Sequence, residues 1–180
     1  MGSIYIPQHF SIDELLPPPA LLPAPFETVY HKDKAALFRL FDYRILVTLD
    51  RLRERYGACS INNWHKFSEV EWVDGVPSMF RFSGWRPVDC CEGAALSEHK
   101  LFRAMDCKFS HTTPDEVWDE MLVDANAPQF EYMQRIEAFG GMSWFHFDMG
   151  QHARYGKAIY VISNRGDRAG LPRQIERVGG

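Results

Sequence analysis

Two short segments of this chain concentrate side chains that bind metal ions. Ser97–Asp106 (SEHKLFRAMD) carries His99 and Asp106, and Trp144–Gly150 (WFHFDMG) carries His146 and Asp148. Two imidazoles and two carboxylates include the donor set a zinc ion takes when three side chains hold it and water keeps the fourth position. Such a centre makes a hydroxide-like nucleophile at neutral pH. The pattern therefore points to metal-assisted hydrolysis, or to a protein that retains the outline of such a site.

Strand alternation gives the second segment its meaning. In Trp144-Phe-His-Phe-Asp148, His146 and Asp148 point to one face and Phe145 and Phe147 to the other. If the phenylalanines fill the core, the polar pair lines a cleft. Arg103–Phe109 also alternates, placing Ala104, Asp106 and Lys108 on one face, with His99 in or just after the preceding loop. By spacing alone, His99, Asp106 and His146 can converge on one ion. His9, His31, His65, His111 and His152 are read as ordinary hydrogen-bonded or surface residues.

The remaining elements are legible from periodicity and breakers. Ser11 and Glu14 form a capping box for a short helix, which Pro17, Pro18 and Pro19 stop. Pro23 and Pro25 keep the backbone extended beyond it, so residues 1–30 form a Pro-rich arm with a short helix, wrapped over its own domain or a neighbour. Residues 33–56 show the strongest helical pattern, through Leu37, Leu40, Phe41, Ile45, Leu46, Leu49, Leu52 and Tyr56, and Gly57 caps it. Asp50 and Glu54 with Arg51, Arg53 and Arg55 are assigned to its wet face. Strands are expected over 59–64 and 79–85, with a loop, or a hairpin turning at Asp74-Gly75, over 65–78 between them. Thr113-Pro114-Asp115-Glu116 starts a helix to about Ala125. A further helical segment is expected over 128–138, strands over 144–149 and 158–163, and a loose tail over 166–180. The domain proper is bounded at 31–165. Helices flanking short strands, with no repeated strand–helix–strand unit, give an α+β domain with a small, mostly antiparallel sheet.

Composition limits the function classes. A chain of 180 residues with a net charge of -4 offers no electrostatic case for nucleic acid. No apolar run reaches membrane-spanning length, and the N-terminus lacks the basic and apolar regions of a secretory signal. The four cysteines, Cys59, Cys90, Cys91 and Cys107, make no CxxC pair and are read as reduced, buried thiols.

Ser97-x-His99-x-x-x-x-Ala104-x-Asp106 resembles the SxHxxGxAxD signature of the D-Ala-D-Ala carboxypeptidase-type zinc peptidases, which group with lysostaphin-like enzymes and the hedgehog fold as the LAS metallopeptidases. Other segments are similar in the same order. Phe10-Ser-Ile-Asp-Glu-Leu15 resembles the opening of the phage and bacterial branch, and LDRLRERYG a helical segment of it. Ser83-Gly84-Trp85-Arg86 looks like an SGyR motif, Gly93-Ala94 precede the first histidine as in GGAxxSxH, and Trp144–Asp148 resembles the closing HvD strand. The resemblance covers about residues 9 to 150.

The resemblance implies an LAS/hedgehog-like fold in which His99, Asp106 and His146 hold one Zn2+. Arg86 would face the bound peptide, pairing with its carboxylate or polarising the scissile carbonyl. Ser97 and Trp85 would contact substrate, and the substrate would be the D-amino-acid-containing peptide stem of peptidoglycan. Two positions depart from the pattern. Phe102 stands where the signature has glycine, and Ser143 where several relatives carry an acid. Asp148 is the local substitute for that acid, as base, as partner to His146 or as a ligand in its place; Glu92, Glu98 and Glu137 are more distant candidates. Two functions are consistent with this pattern. One is a phage-encoded zinc peptidase working from the host cytoplasm or carried in a virion. The other is a virion structural or assembly component with a decayed site, meeting other virion proteins through the arm and the tail.

Overall fold

The computed structural model describes residues 4–150, 156–162 and 170–178. The fold is α+β. Its sheet orders six strands as β1-β2-β4-β3-β5-β6, with β1 Cys59–Ser60, β2 Ala104–Phe109, β3 Arg135–Glu137, β4 Phe145–Asp148, β5 Ala158–Ile162 and β6 Gln174–Glu176. Every pair is antiparallel except β3 with β5. The helices are α1 Ile12–Leu15, α2 Ala24–Asp33, α3 Tyr43–Tyr56, α4 Glu69–Asp74 and α5 Pro114–Val123.

One apolar core joins α3, α5, the sheet and the N-terminal segment. Ile45, Leu49 and Leu52 from α3 meet Val117, Trp118 and Met121 from α5, together with Phe145 and Phe147 from β4. The register pairs Asp106 with His146 and Ala104 with Asp148 across β2 and β4. Because the phenylalanines of β4 are fully buried, its histidine and aspartate turn to the opposite face.

Several elements differ from their sequence expectations. The pattern over 33–56 is two structures: a 3-10 segment at Lys34–Leu40, then α3, whose N-cap Asp42 accepts from the Arg44 amide. The apolar spacing continues through the break because both pieces face the same core. Asp50 is not on a wet face. It is buried and accepts from the Tyr5 hydroxyl at 2.8 Å and from the amides of Gln8 and His9. Asp74-Gly75 ends helix α4, with Gly75 at a φ of 82° as its cap, rather than turning a hairpin.

The 59–64 strand shortens to β1, and 79–85 is a run of bends. Side chains of Asn62 and Asn63 take the amides of Ser83 and Phe80, replacing a strand ladder there. The 128–138 helix is a 3-10 turn at Pro128–Phe130 followed by β3, paired on both sides. Within the tail, β6 adds to β5; His152, Ser163, 166–169 and 179–180 lie outside the described residues. The capping boxes at Ser11 and Thr113 form as expected. All four cysteines are free, yet only Cys107 is fully buried and Cys91 is exposed.

The N-terminal segment is integral to the fold. Phe10, Ile12, Leu15, Leu16 and Leu22 are all buried in the main core. The Leu16 carbonyl accepts from Asn62 Nδ2 and from the Trp64 indole. After it, α2 begins at Ala24, between the two prolines whose sequence reading is an extended chain. Among the described residues, no helix is long and apolar enough to cross a membrane.

Candidate metal centre

His99 sits in a 3-10 turn, Glu98–Leu101, that begins at Ser97 and ends at Phe102. Phe102 adopts φ 59° and ψ 32°, the left-handed region, and among the described residues it is the one non-glycine with positive φ. That conformation costs a side-chain-bearing residue about 1–2 kcal/mol. The ring makes offsetting contacts: it stacks on Trp85 with centroids 4.9 Å apart and meets Phe41 and Phe26 edge-on. The glycine-like backbone of the turn is thus kept, with an aromatic cluster holding it.

Three ligand atoms converge. His99 Nε2 lies 3.4 Å from His146 Nδ1 and 3.4 Å from Asp106 Oδ1, and Asp106 Oδ1 lies 2.7 Å from His146 Nδ1. Tetrahedral zinc with bonds of about 2.0–2.1 Å sets its ligand atoms about 3.3 Å apart. Two edges of the triangle match, and the third is a hydrogen bond that a cation would replace. All three side chains are buried and could hold a metal ion.

The surroundings orient each ligand. His99 Nδ1 lies 2.7 Å from the Gly84 carbonyl. A carbonyl only accepts, so Nδ1 carries the proton and Nε2 presents its lone pair to the centre. Burial pushes the His99 imidazole toward the neutral form, outweighing the pull of Asp106. Burial would raise the Asp106 carboxyl, but the two histidines hold it well below the usual range. Burial would likewise favour neutral His146, yet its hydrogen bonds to Asp106 and Asp148 prevail and raise it to about 10. An ion would take the place of that proton.

Arg86 donates to Asp106 Oδ2 at 2.9 Å and to the Phe82 carbonyl. The guanidinium is therefore engaged with a ligand, while it still lines the cleft. Gly93, at a φ of 76°, lies so close to Arg86 that a Cβ there would sit 2.8 Å from Nη1. Ser97 also lines the cleft. Trp85 does not: it is buried, and its indole donates to the Lys100 carbonyl behind the turn.

Asp148 lines the cleft next to His146 but is fastened there. It is 1% exposed, accepts from Arg135 Nε at 2.8 Å and the Gly150 amide at 2.7 Å, and faces His146 Nε2 at 3.5 Å. Arg135 also reaches Glu98, whose other oxygen faces Arg103. This chain of ions ties the His99 turn to β4. Gly150 leaves room for it, since a Cβ there would overlap the Arg135 guanidinium at 2.3 Å.

Of the remaining acids, Glu92 is exposed and Glu137 pairs in register with His146 on the adjacent strand. Glu137 lines the same cleft, of about 390 Å³, as the three ligands. Among the described residues it has no hydrogen-bond or ion-pair partner. Trp144 is a wall residue that sequence reasoning passed over, although alternation places it on the face of His146 and Asp148. Arg135 was hidden by the helical reading of 128–138.

In comparisons with protein-family models, curated proteins and solved structures, nothing matches this chain. Geometry therefore defines the class: an α+β domain with a buried His–Asp–His group open to a cleft.

Proposed function

We propose that this protein is a zinc-dependent peptidase of the D-Ala-D-Ala carboxypeptidase type, with an LAS/hedgehog-like fold, acting on peptidoglycan stem peptides. The observation that carries this reading is the convergence of His99 Nε2, Asp106 Oδ1 and His146 Nδ1 from segments distant in sequence. The order of the SxHxxxxAxD, SGWR and HFD segments supports it. Zinc, when bound, would supply Lewis-acid activation of water and of the scissile carbonyl.

The chain's own groups divide the remaining work. Glu137, which has no hydrogen-bond or ion-pair partner among the described residues and lines the cleft beside His146, is assigned as the base that takes a proton from the attacking water and returns it to the leaving amine. Asp148, fastened by Arg135 and Gly150, fixes the His146 ring. Arg86 orients Asp106 and presents its remaining donors to the cleft. Ser97 offers its hydroxyl at the rim.

Bound metal on the purified protein, followed by release of D-alanine or of cleaved cross-bridges from peptidoglycan, tests the reading. Zinc near one equivalent and turnover abolished by His99→Ala are expected. Glu137→Gln should keep zinc and lose about 10²–10⁴ in turnover. No release from several wall chemotypes would end the enzymatic reading. Exposed Ser143, in place of an acid, favours the second reading, a virion structural component on a decayed peptidase-like domain; a chain that binds no zinc and co-purifies with virions would fit it.

A further inference from the structure

A second cavity, of about 550 Å³, adjoins the metal cleft and shares Arg86, Asp106 and Trp144 with it. Its charged lining is Arg81, Arg86, Glu92, Asp106 and Lys108. Arg86 and Asp106 neutralise each other through their ion pair. Arg81 donates to the Trp72 carbonyl and lies over the Phe82 ring. Lys108 Nζ bonds Ser83 Oγ at 2.6 Å and approaches the carbonyls of Ile61 and Asp106 at 3.4 Å, with the Phe80 ring 4.4 Å away. None of these partners carries a charge. Two cations thus face one acid, Glu92, which is exposed. Lys108 is half-buried, on the same strand as Asp106 and two residues beyond it.

A half-buried ammonium whose hydrogen bonds all go to neutral groups gains from an anion that can replace its long contacts. We propose that this cavity is a carboxylate subsite, in which Lys108 Nζ receives an acid group of the substrate while the neighbouring amide lies over His99, Asp106 and His146. The position of that amide rests on the hydrolase reading; the affinity of the cavity for an acid does not. The charge of Arg86 is matched by Asp106, and of the two remaining cations Lys108 is the one on the strand of Asp106, so Lys108 is assigned to discriminate acid from amide. The acid is either the peptide's terminal carboxylate or a side-chain carboxylate of the stem.

The test is calorimetric titration of the full-length protein, with chelator present and again with zinc added. Three probes are used: acetyl-D-Ala-D-Ala, its C-terminal amide, and acetyl-D-Ala-D-Glu with both the terminal and side-chain acids varied by amidation. A charged hydrogen bond predicts that an acid-bearing probe binds at least about tenfold more tightly than its fully amidated form. Preference for the terminal acid assigns exopeptidase geometry, and preference for the side-chain acid assigns an internal stem position. Lys108→Met should erase the preference, and Lys108→Arg should retain it. Comparing probes on the unaltered protein needs no variant to fold. Equal binding of acid and amide, absence of binding at millimolar probe, or a preference that survives Lys108→Met overturns the subsite. If that happens while wall peptides are still cleaved, only the subsite falls. An acid preference in a protein that takes up no zinc upholds the subsite and removes the hydrolase reading.

Discussion

Phe102 shows how packing can hold a side-chain-bearing residue in the left-handed region that favours glycine. It stands where the signature that this segment resembles has glycine. Phe102→Gly relieves backbone strain but empties the space between Trp85, Phe41 and Phe26. The packing loss dominates, so a net destabilisation of about 1–3 kcal/mol is expected in urea unfolding; a variant more stable than the parent would contradict the assigned role of the ring. The convergence of His99, Asp106 and His146 was legible, because strand alternation puts Asp106 and His146 on cleft-facing positions and the resemblance names the three together. Their supports were not: Gly84 acts through its carbonyl and Arg135 through a strand pairing, and neither leaves a local sequence signal. Arg135→Gln should weaken zinc binding about 10–100-fold, measured by competition with a chromophoric chelator, with the fold retained by circular dichroism. Unchanged affinity would reduce the Glu98–Arg135–Asp148 chain to a packing feature.

At the scale of elements, strong local chemistry was readable and tertiary pairing was not. The Thr113 capping box and the Gly57 cap formed where expected because each is settled within a few residues. Within 128–138, Arg135–Glu137 is strand because β4 and β5 supply partners from elsewhere in the chain. The break before α3 is set by Asp42, whose carboxylate accepts from the Arg44 amide and guanidinium. Burial would raise the Asp42 carboxyl, but these donors lower it below the ordinary value. A depressed carboxyl stabilises fully above its unfolded value, near pH 4, and loses that contribution as pH falls through the folded value. Asp42→Ala should therefore cost about 1 kcal/mol at neutral pH, and its urea midpoint should approach the parent's as the pH falls below the ordinary carboxylate value. A gap that does not narrow with acid would mean the cap acts through something other than its charge.

For the molecule as a whole, the stretch from Phe10 to Leu22 supplies core side chains. Asp50 gathers Tyr5, Gln8 and His9 onto α3, and burial together with that hydrogen bond pushes the Tyr5 hydroxyl up to about 12. Removing residues 1–22 strips five buried apolar side chains, Phe10, Ile12, Leu15, Leu16 and Leu22. At about 1.5–3 kcal/mol each, this approaches or exceeds the net stability of a typical domain. The shortened chain should show no cooperative thermal transition by calorimetry; a native-like melt would restore the picture of a detachable arm. The same segment reaches the metal centre through one contact. Leu15 leaves no room for a side chain at Gly84, where a Cβ would lie 2.2 Å from the Leu15 carbonyl oxygen, and the Gly84 carbonyl is the acceptor that sets the His99 tautomer. If the group takes up an ion, linkage makes ion uptake and N-terminal docking reciprocal. Loading the centre should slow amide exchange at Trp85, which donates to Leu15, and loosening the chain's beginning should release the ion, so that proteolytic nicking near α1 and chelation become two routes to the same unloaded state.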